Sequence, residues 1–535
     1  MNKPFHIPRR LWAPAVLCCG LLVLLLAANC DARLWELAWN TTQLATLTSL
    51  FSLPTGTLLA VLLFRTDLPW RRTWLVMLCS FLFMPLYLQC AGWQAGFGQQ
   101  GWYMLASGSL GVPALLSGWR GAVWVHSLAA VPWVTLIVGV GLRRVEADLE
   151  AAAALDGTSW HVLWHVTLPR GMTGIGVAAL WIAVTTAAEM TVTDLFQIRT
   201  FAEDIYTGFY LGEGISGALP GTVAGIAFAV ATVAIMTILA WWLCLQLVPR
   251  PGPVAWQSRR RFALGRWRWL AVAGTGAGLC LMTGVPIANL IYKAGVIVRM
   301  SGDDRVRSWS LSKCATIIAQ SPWQHGDVYA WSLLTAGVSA TCVLVVAIPL
   351  GWAAARRRVL AITSLMIVAI CLALPGPVIG QLIIAALNQR ESALLTWLYD
   401  QTLLAPCLAQ GIRALPLATL VCWHAFRSLP EAMLDAARMD GAGILSCLLT
   451  VVLPNRLAAL GLAWLVALTI ALGDLAASVL VVPPGVDLLS IYIFDLLHTG
   501  VEDYVAGIVL TNLAMFLLIA VPITIVVIRR RGVGE

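Results

Sequence analysis

Two stretches of the chain read alike: EADLEAAAALDGTSWHVLWHVTLP at residues 146–169 and EAMLDAARMDGAGILSCLLTVVLP at residues 431–454. Each begins with an acidic, alanine-rich run, passes through Asp-Gly and ends in Leu-Pro. Alanine favours helix, Asp-Gly favours a turn, and the residue before a proline is biased away from helix. Each copy therefore predicts a short helix–turn–helix, and the recurrence predicts a chain made of two related halves.

A fixed spacing relates further positions of the two halves. Glu150 and Asp435 are 285 residues apart (435 minus 150), and other pairs share this spacing. These pairs are Glu146 and Glu431, Pro169 and Pro454, and Glu189 and Asp474. One offset over several features indicates internal duplication. We predict a first half over residues 1–248, a cytoplasmic linker over 249–268 and a second half over 269–535.

The composition is that of a membrane protein. Of the 535 residues, 60% are hydrophobic and only 11% are charged, and the mean hydropathy is +0.84. Soluble domains carry about 25% charged residues. The net charge of +8 comes from basic residues in short clusters between apolar runs, which gives no reason to expect nucleic acid as a partner. An all-α integral membrane protein in contact with the lipid bilayer is predicted.

Twelve apolar runs approach the roughly 20 residues that a helix needs to cross a bilayer. They lie near 11–29, 42–64, 73–92, 121–142, 173–194, 222–248, 269–291, 328–352, 359–386, 404–425, 457–478 and 504–528. Six runs in each half predict two parallel six-helix repeats, related by an axis along the membrane normal.

The basic residues orient these spans. With the N-terminus in the cytoplasm, most of the 34 Lys and Arg fall on the cytoplasmic side, as the positive-inside rule requires. Both termini are then cytoplasmic, and both repeated stretches lie in cytoplasmic loops. The run at 11–29 is interpreted as a retained span because no A-x-A cleavage pattern follows it.

The segment PEAMLDAARMDGA at 430–442 resembles the EAA loop of permease subunits in type I ATP-binding-cassette importers. That loop reads E-A-A-x-x-D-G with a distal Leu-Pro, and Asp435 stands here in place of the usual Glu. The first stretch departs more, because its Asp156-Gly157 falls one position late when Glu150 and Pro169 are aligned. The two-half architecture resembles the iron(III)-type permeases, which include thiamine and phosphonate relatives.

The resemblance implies a bacterial inner-membrane permease whose two loops couple it to two cytoplasmic ATP-binding-cassette ATPase subunits. The implied coupling residues are Glu150, Ala151, Ala152, Asp156, Gly157 and Pro169, and Asp435, Ala436, Ala437, Asp440, Gly441 and Pro454. The acidic residue of each loop is expected to meet an arginine of the partner. An extracytoplasmic substrate-binding protein is also implied, with the outer segments 93–120 and 292–327 as candidate contacts.

No ATPase is expected within the chain itself. A P-loop needs G-x-x-x-x-G-K-[ST], and none of Lys3, Lys293 and Lys313 stands in such a context. The sequence therefore predicts a transport protein, not an enzyme, with no catalytic residue, bound metal or cofactor.

Glu189 and Asp474 lie in apolar runs, where ionisable groups are costly and are functional candidates. They are assigned to the substrate pathway; the alternative is that each accepts hydrogen bonds from a neighbouring helix. Two carboxylates suit a hard cation, so ferric iron is the expected substrate, with thiamine, a phosphonate or a polyamine left open. A different class, an ion-coupled secondary transporter, would also have twelve spans and two carboxylates but would not explain the two loops.

Overall fold

The computed structural model describes residues 32–106, 114–143, 145–211, 262–301, 304–356, 358–389 and 391–532. The spans predicted near 11–29 and 222–248 lie outside the described residues, as does most of the predicted linker. The all-α prediction holds for the rest of the chain, apart from one two-stranded hairpin.

The elements between residues 32 and 211 are helices. They are α1 (Ala32–Arg65), α2 (Arg71–Leu82), α3 (Leu86–Phe97), α4 (Trp102–Ala106), α5 (Gly118–Leu142), α6 (Ala147–Asp156), α7 (Ser159–Val162), a π-helical segment (Leu163–Thr167), α8 (Leu168–Ala187), α9 (Thr191–Leu195) and α10 (Phe201–Tyr210).

The elements between residues 262 and 532 include the hairpin, which is antiparallel and pairs Val296 with Trp309. They are a 3-10 turn (Gly265–Trp267), α11 (Arg268–Leu279), a π-helical segment (Cys280–Gly284), α12 (Val285–Gly295), β1 (Val296–Ser301), β2 (Asp304–Trp309), α13 (Leu311–Gln324), α14 (Gly326–Arg356), α15 (Arg358–Ala373), α16 (Gly376–Leu387), α17 (Ala393–Asp400), α18 (Leu404–Arg427), α19 (Glu431–Met439), α20 (Ile444–Ser446), a π-helical segment (Cys447–Val452), α21 (Leu453–Asn455), α22 (Leu457–Gly473), a 3-10 turn (Ser478–Leu480), α23 (Leu489–Thr499) and α24 (Asp503–Gly532).

Several helices are long and apolar enough to cross a membrane. Within the described ranges there are six of them, or up to nine if each pair of helices joined at a sharp bend counts as one span. A multi-pass membrane protein is therefore supported, whereas the number twelve and the division into two six-helix repeats stay predictions.

Two spans expected to be continuous are broken. Helices α2 and α3 meet at 98° and helices α15 and α16 at 104°, where 73–92 and 359–386 were expected to be straight. Pro85 and Pro375 directly precede the second helix of each pair and have extended backbones. Proline has no N–H to donate and disfavours helix in the residue before it, so both helices end there. Hydropathy averaged along the sequence detects the apolar run but carries no information about the bend.

Two other expected spans end early. Helix α8 stops at Ala187 and α22 at Gly473, whereas the apolar runs extend to 194 and 478. The remaining apolar residues form short helical turns that fold back into the protein. Glu189 and Asp474 therefore follow the ends of these helices instead of lying within them.

The same three-helix packing occurs in both parts of the chain. Helices α1, α5 and α8 pack on one another, and α14, α18 and α22 do so in the same order. Contacts between the two parts include α3 with α12 and α10 with α16. The approach of α3 to α12 is close, because a Cβ added at Gly96 would lie 2.4 Å from Nδ2 of Asn289.

Gly376→Leu tests the bend between α15 and α16. A Cβ at residue 376 would lie 2.4 Å from Cβ of Ala476 and 2.7 Å from its carbonyl carbon, so backbone must shift. Overpacking of this kind costs about 1–3 kcal/mol. We expect a lower unfolding temperature for the purified chain in detergent. Gly461→Leu is the matched control, because a Cβ there meets nothing within 4 Å; equal unfolding temperatures for both variants would contradict the packing described.

Candidate functional site

The two repeated stretches fold alike. Each forms a helix, a turn, a short helix and a π-helical segment that runs into the next long helix. The predicted helix–turn–helix is present in both copies. The first loop runs directly into the long apolar helix α8, whereas the second loop is joined to α22 across a bend of 83° at Arg456.

Glu150 anchors the first loop inside the protein. Its side chain is buried and forms an ion pair with Arg65, the last residue of α1, which is equally buried. The same carboxylate oxygen accepts a hydrogen bond of 2.7 Å from the hydroxyl of Thr167. Arg65 also donates to the carbonyl of Leu142 at 3.4 Å. Glu150 thus joins α6 to the end of α1 and to the start of α8.

This burial contradicts one expectation for the first loop. Glu150 cannot meet an arginine of a partner, because its charge is already neutralised by Arg65 of the same chain. The sequence placed Arg65 only among the basic residues of the cytoplasmic side. Nothing in the linear pattern brought residues 65 and 150 together.

Asp435, at the equivalent position of the second loop, is exposed. Its side chain is 62% accessible and bonds to Arg438, one helical turn further along, at 2.9 Å. The two turns also differ. Gly441 has a φ of +84°, which favours glycine, whereas Gly157 is extended. The one-position shift seen in the sequence therefore corresponds to two different turn geometries.

Exposed apolar side chains project from both loops at matching positions. Trp160 and Trp164 of the first loop are 285 residues before Leu445 and Leu449 of the second, and all four are exposed. Leu155, the residue before the last of α6, and Met439, the last residue of α19, are 89% and 88% accessible. We call these six residues the loop knobs. Sequence reasoning missed them because it concentrated on the charged and alanine positions.

The remaining predicted loop residues lie around these knobs. Those that are exposed are Ala151, Ala152, Asp156, Pro169, Ala436, Asp440, Gly441 and Pro454. Those that are half-buried are Gly157 and Ala437. Small exposed alanines beside large apolar side chains form a surface that another protein can approach closely.

A cavity of about 790 Å³ lies between the two parts of the chain. It is lined mainly by apolar side chains from the α2–α3 bend, α5, α8, α18 and α22. Its ionisable lining residues are His126, Glu189, Arg413, His424, Arg456 and Asp474. Both carboxylates that the sequence singled out therefore line one cavity.

Each of these carboxylates caps the turn that follows it. Glu189 accepts hydrogen bonds from the amides of Thr191 at 2.8 Å and Val192 at 3.0 Å. Oδ2 of Asp474 accepts from the amide of Ser478 at 3.1 Å and from its hydroxyl at 2.6 Å. Helix starts leave amide N–H groups without partners, and a carboxylate satisfies them. Both acids thus have the structural role that the sequence analysis kept as the alternative, while still facing the cavity.

A basic side chain lies beside each acid. Nε2 of His126, on α5, is 3.7 Å from Glu189, and Nε of Arg413, on α18, is 3.7 Å from Asp474. The acid and base thus come from helices that pack in the same way in both parts of the chain. Sequence reasoning missed Arg413, although it stands in the apolar run 404–425 and the rule applied to Glu189 and Asp474 would have identified it.

Two hydrogen bonds involve the outer segments 93–120 and 292–327, which were named as candidate contacts. Nε1 of Trp102 donates to Oδ1 of Asn289 at 3.0 Å, and Nζ of Lys293 donates to the carbonyl of Gln100. His498 is bonded to Asp194 at 2.8 Å, between the two parts of the chain. Among the described residues, no three His, Cys, Asp or Glu side chains are placed to hold a metal ion.

Comparison with known proteins shows that part of this chain is similar to transport permeases. Residues 347–529 match the family described as binding-protein-dependent transport system inner membrane component. The molybdenum transport system permease protein ModB of Escherichia coli (strain K12) is 28% identical over 228 residues, covering 39% of this chain and 93% of ModB. ModB of Haemophilus influenzae (strain ATCC 51907 / DSM 11121 / KW20 / Rd) is 26% identical over 137 residues, covering 25% of this chain and 60% of that protein. The resemblance to importer permeases is confirmed.

Removing Glu150 should destabilise the protein far more than removing Asp435. Glu150→Ala leaves Arg65 buried without its partner, and breaking a buried ion pair costs about 3–5 kcal/mol. Asp435→Ala removes an exposed pair worth about 0–1 kcal/mol. Thermal unfolding of the purified chain in detergent measures the difference.

A double variant is the control for this prediction. Arg65→Met with Glu150→Leu removes both charges together and should recover most of the stability lost in Glu150→Ala, because no unpaired charge remains. Equal unfolding temperatures for Glu150→Ala and Asp435→Ala would show that Glu150 does not anchor the loop.

Proposed function

We propose that this chain, a permease subunit of the type I ATP-binding-cassette importer class, carries a small oxyanion into the cytoplasm through a pathway formed by two fused halves. Two copies of a separate ATPase supply the energy through the two loops. A substrate-binding protein on the outer side delivers the anion. The observation that carries the proposal is the pair of matching loops, each directly followed in the chain by a helix that ends at the cavity.

The loop knobs are suited to receive a partner. Leu155 and Met439 are almost fully accessible, and exposed apolar side chains of this size mark contact surfaces when they occur together. Equivalent positions in the two loops support one kind of partner bound twice. The partner must bring its own nucleotide site, because this chain has no P-loop sequence.

In each half, a helix connects the loop to the wall of the cavity. Helix α8 has 20 residues, which corresponds to about 30 Å of helix, and it runs from the first loop to the turn capped by Glu189. Helix α22 similarly connects the second loop to the turn capped by Asp474. A displacement of either loop therefore moves one wall of the cavity. Alternating access driven from the loops follows from this connection.

The polar groups of the cavity favour an anion. The oxygens of Glu189 accept two backbone amides, and Oδ2 of Asp474 accepts Ser478, so the acids have few free acceptors. Arg413 and Arg456 each carry five N–H donors. Unused donors outnumber unused acceptors, and oxyanions are bound by donors.

Ferric iron, the substrate expected from the sequence, is less well supported. It needs carboxylate oxygens, and three of the four oxygens of Glu189 and Asp474 already accept hydrogen bonds within the chain. The relatives reported above are permeases for molybdenum, and molybdate is a doubly charged tetrahedral oxyanion. A phosphonate has similar chemistry. Thiamine and polyamines are cations and fit the donors poorly.

A second candidate is an ion-coupled secondary transporter. The acid–base pairs His126–Glu189 and Arg413–Asp474 inside the cavity are the feature that favours it, since such pairs occur along proton and ion pathways. It leaves the loop knobs without a partner, and it requires no ATPase.

Changing one knob in each loop tests the ATPase contact. Leu155→Asp with Met439→Asp places two charges in the proposed apolar interface, so we expect at least a tenfold loss of ATPase activity copurified with the tagged chain from native membranes. Leu394→Asp is the matched control, since Leu394 is exposed but lies on α17, outside the loops. Absence of ATPase from the unmodified chain, or equal ATPase for both variants, would contradict the proposal.

Ion competition tests the substrate class. Cells that express the chain with its partner subunits should accumulate radiolabelled molybdate, and a tenfold excess of tungstate, which has the same charge and shape, should suppress the uptake. Ferric citrate at the same excess should not. Suppression by ferric citrate alone, or accumulation of labelled iron in place of molybdate, would restore ferric iron as the substrate.

A further inference from the structure

The positive groups of the cavity come mostly from one part of the chain. Arg413, His424 and Arg456 lie in the second half, whereas His126 is the basic lining residue of the first. His126 is buried beside Glu189. The first half adds Trp133 and Trp181, whose ring centroids lie 4.6 Å apart with the planes tilted by 37°. The cavity therefore has a basic side and an aromatic side.

Arg413 is held in place without using its hydrogen-bond donors fully. Its Nε lies 3.7 Å from Oδ1 of Asp474, which is close enough for charge attraction but longer than a hydrogen bond. Asp474 is itself fixed by Ser478. The Arg413 side chain is 26% accessible, so its planar fork of donors can bind two oxygens of a ligand.

Arg456 lies at the loop end of the same cavity. It follows Pro454 of the second loop by two residues and donates to the carbonyl of Ser428, just beyond the end of α18, at 2.9 Å. Its Nε is buried and has no hydrogen-bond partner. From Arg413 to Ser428 there are 15 residues, almost all in α18, which corresponds to about 22 Å along the cavity. The two arginines thus mark its deep part and its loop end.

We propose that the anion path is one-sided, with Arg413 as the residue that binds the oxyanion deep in the cavity and Arg456 as the residue that receives it at the loop end. Asp474 is a positioning residue that orients Arg413. The first half contributes the aromatic side together with Glu189, whose oxygens accept hydrogen bonds from the amides of Thr191 and Val192. The direction of movement and the oxyanion class of the ligand rest on the proposed function. The placement of the arginines on one side of the cavity does not depend on it.

This arrangement links release to the second loop. Arg456 belongs to the segment between α21 and α22, so a movement of that loop displaces its guanidinium from Ser428. At the corresponding position of the first half, 285 residues earlier, the chain has Gly171, which carries no charge. Only the second loop therefore moves a cationic side chain of the cavity.

A charge-sensitive cysteine probe tests the field around Arg413 without any partner protein. Leu417→Cys, one turn along α18 and also lining the cavity, is introduced together with Cys371→Ser, which removes a native thiol from the lining. The purified chain in lipid nanodiscs is treated with a negatively or a positively charged methanethiosulfonate reagent. Modification of residue 417 is followed by peptide mass spectrometry.

Adding Arg413→Gln should lower the ratio of the anionic to the cationic reaction rate at least fivefold. Arg413→Lys keeps the charge and should keep the ratio. Arg266→Gln is the matched control, because Arg266 is exposed beside Trp267 and does not line the cavity. An unchanged ratio of the two reaction rates in Arg413→Gln overturns the inference. If Arg413→Gln lacks an unfolding transition, it has failed to fold, and Arg413→Lys is then treated with and without 1 mM molybdate. Protection of residue 417 by molybdate supports the inference, and lack of protection overturns it.

Transport assays then separate the inference from the proposed function. In the complete complex, Arg413→Gln and Arg456→Gln should each reduce molybdate uptake at least tenfold, whereas Arg266→Gln, outside the cavity, should leave uptake unchanged. Full uptake in both variants would overturn the inference while leaving the proposed function intact. If no ATPase copurifies with the unmodified chain while the ratio of anionic to cationic reaction rates still depends on Arg413, the proposed function is overturned. The one-sided anion site would still be supported in that case.

Discussion

A helix that is interrupted inside a membrane must still satisfy its backbone amides, because no water is available there. This chain meets that requirement with two carboxylates, Glu189 and Asp474, each accepting the amides that begin the turn after a long helix. Those turns fold back into the protein and contribute to the cavity wall. The same hydrogen bonds occupy three of the four carboxylate oxygens of the two acids. One constraint therefore shapes the cavity and reduces the number of free acceptors in it.

The two halves repeat a plan but differ in its details. Glu150 is buried against Arg65, whereas Asp435 is exposed. Tryptophans project from the first loop where leucines project from the second, and arginines line the cavity from the second half. Two copies of one chain must present identical surfaces, whereas two parts of a single chain can differ. The structure is consistent with a first loop anchored to α1 and a second loop free to move a cationic side chain.

The sequence predicted the two helix–turn–helix loops, a multi-pass apolar chain and two carboxylates that line the cavity, because turn residues, hydropathy and spacing are local signals. It could not predict the bends at Pro85 and Pro375, since a proline can also sit in a continuous span. The contact between Arg65 and Glu150 depends on how α1 packs against the first loop, which no local pattern records. Arg413 was available to the same reasoning that found Glu189, so its omission was a missed signal and not a limit of the sequence.

The source of energy is the most direct test of the account. The chain is reconstituted in liposomes with its ATPase and its substrate-binding protein, and radiolabelled molybdate uptake is measured with ATP on the ATPase side and a protonophore present. Uptake that requires ATP hydrolysis and persists when ion gradients are abolished is the predicted result. Uptake that stops with the protonophore while ATP is still present would contradict the account and identify a gradient-driven transporter.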